Sequence, residues 1–159
     1  MKSRQEVLEE CKGDGYKLED ASEEIKADRE VVMAAVESSS GEAFEYADDA
    51  LKADREFVLE VVKLQGNALQ HASSELQGDR QIVFAAAATS RRHAHSLQYA
   101  STELKADREI VLATVKNNGY ALQYAAEELK ADREIVIAAV KRSPGAIDFA
   151  SDELKKELE

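Results

Sequence analysis

What most constrains this chain is a phrase that keeps returning, Lys-Ala-Asp-Arg-Glu followed by an apolar run. Its arginines fall at Arg29, Arg55, Arg80, Arg108 and Arg133, with an earlier counterpart at Arg4. The intervals between them are 25, 26, 25, 28 and 25 residues. Nearly all of the 159 residues therefore belong to one repeating unit. A period of that size marks a solenoid, in which each unit buries its apolar face by stacking on its neighbours. The expectation is an all-α solenoid of about six short helix-pair repeats, each of about 25 residues. It forms a single repeat domain over residues 1–159, with an N-terminal cap at 1–15, repeats at 16–145 and a C-terminal cap at 146–159.

Asp107 to Asp132 is the cleanest copy. Asp107 suits an N-cap, because its carboxylate can accept from the free N–H groups of a first helical turn. Glu109 suits the positive end of the helix dipole. Ile110-Val111-Leu112-Ala113-Thr114-Val115 then reads as a helix buried on more than one side. Asn117-Asn118-Gly119 predicts a stop through left-handed backbone. Tyr120 to Leu129 predicts a second, amphipathic segment, with Leu122, Ala125 and Leu129 on one stripe. It is short enough to be partly 3₁₀. At the two ends, Glu9, Glu10 and Cys11 and the run Lys155-Lys156-Glu157-Leu158-Glu159 replace the internal pattern, as capping units do.

Composition narrows the function classes. One proline and 33% charged residues beside 44% hydrophobic ones describe a folded helical chain. No apolar run approaches the eighteen or so residues that span a bilayer, so no membrane association is expected. The net charge of −11 argues against nucleic acid as a partner, because such binding needs a basic face. The single cysteine, Cys11, forms no internal disulfide framework, and a cytoplasmic location follows as the default. A monomer is expected.

The string from Ala121 to Val136, with its core Tyr124-Ala125-Ala126-Glu127-Glu128-Leu129-Lys130-Ala131-Asp132-Arg133-Glu134, resembles the tandem repeat known as domain of unknown function 4116. The family's unit is similar to a pair of the repeats counted here, and the resemblance covers nearly the whole chain. It implies no activity, cofactor or site residue. A looser likeness is to leucine-rich variant repeats, which alternate α and 3₁₀ helices.

Several columns of residues bear on chemistry. The arginines Arg29, Arg55, Arg80, Arg108 and Arg133 sit in first turns, against the dipole, so nearby acids must favour them. A structural ladder with Glu24, Glu75, Glu103, Glu128 and Glu153, one helix earlier, is the simplest account; a row that binds phosphate is the functional one. Lys26, Lys52, Lys105, Lys130 and Lys155 read as a solvated edge of mixed sign. Tyr46, His71, Tyr99, Tyr124 and Phe149 read as packing residues rather than a platform for bases.

The third full repeat, around Arg80, breaks the pattern. Gln77-Gly78 and Gln81 replace Lys-Ala and Glu, and the turn Thr89 to Ser96 is three residues longer than its equivalents. Long loops on an economical scaffold tend to carry function. Arg91, Arg92, His93 and His95 are the candidate binding residues there. His93 and His95 alternate as metal ligands do, and His71 lies one repeat away, but a His-x-His pair lacks a third ligand and no metal is expected. No catalytic constellation and no cofactor motif is present. The sequence thus predicts a non-catalytic scaffold, not an enzyme, that binds a protein or peptide through its turn residues. The alternatives are a phosphate- or single-stranded nucleic-acid-binding repeat protein and a purely architectural repeat segment.

Overall fold

The computed structural model describes residues 2–89 and 96–158. Among the described residues every regular element is helical. The first repeats run α1 (Arg4–Gly13), a 3₁₀ turn (Gly15–Leu18) and α2 (Glu23–Lys26), then α3 (Arg29–Ser38), a 3₁₀ turn (Glu42–Tyr46) and α4 (Asp49–Lys52). Next come α5 (Arg55–Leu64), a 3₁₀ turn (Gly66–His71) and α6 (Ser74–Gln77), followed by α7 (Arg80–Thr89), α8 (Ser96–Tyr99) and α9 (Thr102–Lys105). The last repeats are α10 (Arg108–Asn117), a 3₁₀ turn (Gly119–Tyr124) and α11 (Glu127–Lys130), then α12 (Arg133–Arg142), a 3₁₀ turn (Pro144–Phe149) and α13 (Asp152–Leu158). The ten-residue helices α1, α3, α5, α7, α10 and α12 stack in one row, and the 3₁₀ turns with α8 stack in a second. This is an α-solenoid.

Each long helix after α1, which is capped by Ser3, starts on the aspartate of the repeated phrase. Asp132 shows the device: its Oδ1 accepts from the N–H groups of Glu134 at 3.0 Å and Ile135 at 3.2 Å. Asp28, Asp54, Asp79 and Asp107 cap their helices in the same way. The helices α3, α5, α7 and α10 then bury the second and third residues after the arginine and the two that stand one turn later; α12 buries the first three of these. In α5 these are Phe57, Val58, Val61 and Val62; in α10 they are Ile110, Val111, Thr114 and Val115. Burying one such aliphatic side chain contributes about 1.5–3 kcal/mol, so the stacked row is the main source of stability.

The second segment of each repeat is divided. Tyr120 to Leu129 is not one amphipathic helix: the 3₁₀ turn ends at Tyr124 and α11 restarts at Glu127, with Ala125 and Ala126 extended between them. The break frees the Ala126 N–H to donate to Lys105 O of the preceding repeat at 2.9 Å. The same bond recurs as Asp48 N to Lys26 O, Ser73 N to Lys52 O, Ser101 N to Gln77 O and Ser151 N to Lys130 O, all between 2.9 and 3.1 Å. One backbone hydrogen bond per repeat thus stitches each unit to the next.

The turn after α10 also differs from expectation. Asn118 is extended, at φ −143°, and its side chain caps the 3₁₀ turn by accepting from Tyr120 N at 3.1 Å. Gly119 is required for space, since a Cβ there would lie 2.2 Å from Ala139 O in the next long helix. Left-handed backbone is confined, among the described residues, to Ser40 and Gly41. There Gly41 N reaches back to Val36 O at 2.9 Å and closes α3.

The lysine column is less solvated than its charge suggested. The side chains of Lys26, Lys52 and Lys130 keep only 19%, 21% and 18% of their exposure, each bent onto an acid three residues earlier. Their stems cover the seam where the inter-repeat bond lies. Tyr46, Tyr99, Tyr124 and Phe149 are half-buried against the core. Cys11 is fully buried, and its thiol is pushed up by burial and by the charges of Glu10 and Asp14.

Candidate interaction surface

Two surfaces repeat along the stack, a charged edge and an apolar face. The edge is built from the arginines. All but Arg133 reach forward to the cap of the next repeat: Arg4 Nε to Asp28 Oδ2 at 2.7 Å, Arg55 Nε to Asp79 Oδ2 at 2.8 Å, Arg80 Nε to Asp107 Oδ2 at 2.8 Å and Arg108 Nε to Asp132 Oδ2 at 2.9 Å. Arg29 bonds Asp54, and Arg133 Nε donates to Glu157 at 2.9 Å. Three of the guanidinium groups also bond the glutamate that follows the next repeat's arginine: Arg4 with Glu30, Arg80 with Glu109 and Arg108 with Glu134. In the Arg55 pair, Gln81 takes the place of the acid at 2.8 Å.

The partners are therefore the following aspartates and not the glutamates one helix earlier. The reason is geometric. Oδ1 of each aspartate is committed to the N-cap, which turns Oδ2 toward the preceding repeat, where the arginine of the neighbouring helix lies. Glu24, Glu75, Glu103 and Glu128 lie one helix before an arginine in sequence and Glu153 follows the last of them, yet none pairs with one. Asp28, Asp107 and Asp132 are held below the usual carboxylate range chiefly by their arginines, against some burial. At Asp79 burial pushes the carboxyl up, and the Arg55 bond with the capping N–H groups outweighs it. Arg4, Arg80 and Arg108 are correspondingly raised by their bonds to both acids.

The apolar face is on the long helices, on the side away from the 3₁₀ row. Four residues after each of the five later ladder arginines stand Met33, Leu59, Phe84, Leu112 and Ile137, all mostly buried but with part of the side chain at the surface. Ala34, Ala85, Ala113 and Ala138 sit beside four of them and are partly buried as well. Small alanines between large side chains leave shallow grooves. One, of about 410 Å³, is lined near the N-terminal end by Met33, Ala34, Glu37, Phe57 and Glu60. Another, of about 430 Å³, lies between α10 and α12 over Ile137 and Ala138. As the sequence suggested, α10 is buried on more than one side, against α7, α12 and the 3₁₀ turn Gly119–Tyr124; the strip is the part of its surface left partly open.

The turns are more occupied than a display surface would be. Ser38 donates to Cys11 O at 2.6 Å, Thr89 to Val62 O at 2.9 Å and Asn117 Nδ2 to Ala87 O at 2.9 Å, each reaching back to the helix of the preceding repeat. Gly66 and Gly119 are buried. Tyr120 is half-exposed, edge-on to Phe149 with ring centres 6.4 Å apart. Leu64 breaks the series of turn donors and is exposed; Gly41 already satisfies the Val36 carbonyl that a donor at Leu64 would have served.

Arg91, Arg92, His93 and His95, the candidate binding residues of the long loop, lie outside the described residues. The segments on either side of it are fixed. Thr89 is tied to Val62, and Ser96 is buried at the start of α8 with its hydroxyl unpartnered. His71 stands one repeat away, mostly buried, its Nε2 3.8 Å from Glu42 Oε2 and without a hydrogen bond. Burial lowers its pKa, against the pull of Glu42 and Glu45. Among the described residues no cluster of three or more metal-ligating side chains occurs, and no helix is long and apolar enough to cross a membrane.

Comparison with curated proteins and with solved structures finds no match. A family model does match, four times over, at residues 5–52, 54–105, 88–130 and 107–155. Each matched segment spans about two of the arginine-to-arginine repeats, and together they tile almost the entire chain. The chain belongs to the family described as Domain of unknown function (DUF4116).

Proposed function

We propose that this protein is a non-catalytic helical-repeat scaffold of the cytoplasm that binds a protein or peptide. The observation that carries the reading is the strip of partly exposed apolar side chains, Met33, Leu59, Phe84, Leu112 and Ile137, regularly spaced across the row of stacked helices. Apolar anchors laid into a groove of packed helices are a common way to recognise a peptide or an amphipathic helix. The two stitches between repeats, from backbone and arginine, hold the strip in one shape, which reduces what binding loses to ordering.

Arg91, Arg92, His93 and His95 belong to this proposal on sequence grounds, as a second contact from the long loop. A row of arginines that reads phosphates is not favoured, because each guanidinium is already engaged by the next repeat. The test is capture of partners from cell extract by the full chain, by a Leu59→Glu/Leu112→Glu variant and by a chain with residues 91–93 deleted. Partners lost with the glutamates at unchanged melting support the helix face, and loss on the deletion alone moves the site to the loop. Capture of nothing by any of the three overturns the reading.

A further inference from the structure

Among the described residues most lysines and arginines are neutralised by the chain's own carboxylates. The ladder arginines are paired, and so are Lys2, Lys12, Lys17 and the lysines of the half-buried column other than Lys105. Among the described residues, the cations without an acidic partner are Lys63, Lys105, Lys116, Lys141, Arg142 and Lys156. Three of these six, Lys116, Lys141 and Arg142, line a single groove, and its floor is Ile137 and Ala138. The carboxylate in its lining, Glu134, is already bonded to Arg108. In a chain of net charge −11, this is a locally cationic rim around an apolar floor.

The rim is also held in place. Arg142 Nε donates to Asn117 O at 2.8 Å, which fixes the guanidinium across the seam between α10 and α12. Its two terminal nitrogens have no described partner. Lys116 and Lys141 stand at equivalent places in the last turns of these helices, where the negative end of the dipole favours a cation without neutralising it. The groove at the other end of the same face has the opposite character. There Lys12 pairs with Glu9 and Arg29 with Asp54, while Glu37 and Glu60 are unpaired.

We infer that the groove between α10 and α12 binds an acidic peptide segment, which seats an apolar side chain on Ile137 and Ala138 while its carboxylates meet Lys116, Lys141 and Arg142. This rests on the peptide-binding reading above and assigns it a site and a partner chemistry. Complementarity argues for the acid, since three unpaired cations around one cleft favour an anion and repel a basic segment. The floor argues for an aliphatic anchor, which a bare polyanion lacks. A volume of about 430 Å³ is of the size that side-chain and small-ligand sites occupy. The overall negative charge predicts a basic partner; the unpaired residues of this groove predict the reverse.

The test is selection of random displayed peptides on the full chain and on its Lys141→Glu/Arg142→Glu variant, with melting curves of both. The enriched peptides are then synthesised and their affinities measured by fluorescence anisotropy. The expected consensus combines Asp or Glu with Leu, Ile or Phe. Its affinity falls roughly tenfold in the double variant and in Ile137→Gln, and severalfold between about 0.05 and about 0.3 M salt. A consensus without acids, or one indifferent to the variants, overturns this inference and leaves peptide binding standing. No enrichment overturns both. Equal binding of a fluorescent oligouridine makes the groove a generic anion site and overturns the anchor. A concentration-dependent dimer of the chain that the double variant abolishes makes a second copy the occupant and overturns the peptide.

Discussion

Asp132 and Arg108 are joined across a repeat boundary by a single oxygen, Oδ2 of the aspartate accepting from Nε of the arginine at 2.9 Å, while Oδ1 caps the aspartate's own helix. The cap closes a helix that stacking alone cannot start, whereas the ion pair is about half-exposed and screened. Asp132→Ala is therefore expected to lower stability by about 0.5–2 kcal/mol. Arg108→Ala should cost clearly less. Urea unfolding of the two variants measures the order, and an arginine loss as large as the aspartate loss would contradict the division of labour.

Gly119 lies against the next long helix and Gly13 faces open space. A methyl at Gly119 would meet Ala139 O at 2.2 Å, which only a shift of one repeat against the next relieves. Gly119→Ala is expected to cost about 1–3 kcal/mol, as overpacking does. Gly13→Ala, at the end of α1, should be neutral or slightly stabilising. Thermal melting of the pair separates close packing from a general intolerance of change at turns.

Thr89 donates to Val62 O in the preceding repeat, at the point where the long loop begins. Thr89→Val keeps the shape and removes the bond, leaving a carbonyl short of a partner. A loss of about 1 kcal/mol is expected. Amide exchange should quicken in Ser96–Tyr99 if this bond anchors the loop, and unchanged exchange there would restrict its role to α7.

Two kinds of group give stability a pH dependence. Asp28, Asp107 and Asp132 have folded pKa values below the ordinary 3.8, so their contribution is full above about 3.8 and is lost as pH falls through the folded values. His71 is lowered from 6.5, mainly because burial disfavours the imidazolium. Its contribution is full above about 6.5 and fades as pH falls through the folded value. His71→Tyr, which installs the residue found at Tyr99 and Tyr124, should flatten the melting profile between neutral pH and about 5 while leaving the acid limb below 4. A profile unchanged by the substitution would rule His71 out as its source.

The long helices were legible because their determinants are local. An aspartate before the arginine, an acid after it and an apolar run are all within one turn of the cap. The divided second segment was not, because the break at Ala125 and Ala126 is set by a bond to Lys105, more than twenty residues away. The arginine partners were misread for a similar reason. Acids lie on both sides of most ladder arginines in sequence, and the choice depends on which oxygen the cap leaves free. The open strip was hidden by its own composition, since Leu112 and Ile137 look in sequence like the buried residues beside them. The signal that could have found the groove was present in the spacing of Lys116 and Lys141, eight residues after successive arginines.

Gln77 and Ser101 show how the array absorbs irregular length. Arg80 and Arg108 are 28 residues apart, three more than most neighbours, yet Ser101 N still meets Gln77 O at 3.1 Å and Arg80 still meets Asp107 at 2.8 Å. Each unit is re-indexed against the one before it, so an insertion in one turn is not passed down the line. An error that would accumulate in a coiled coil is cancelled here within a single period. Such a scheme lets turns diverge freely, and it lets whole units be added or deleted by duplication without disturbing the pitch of the rest.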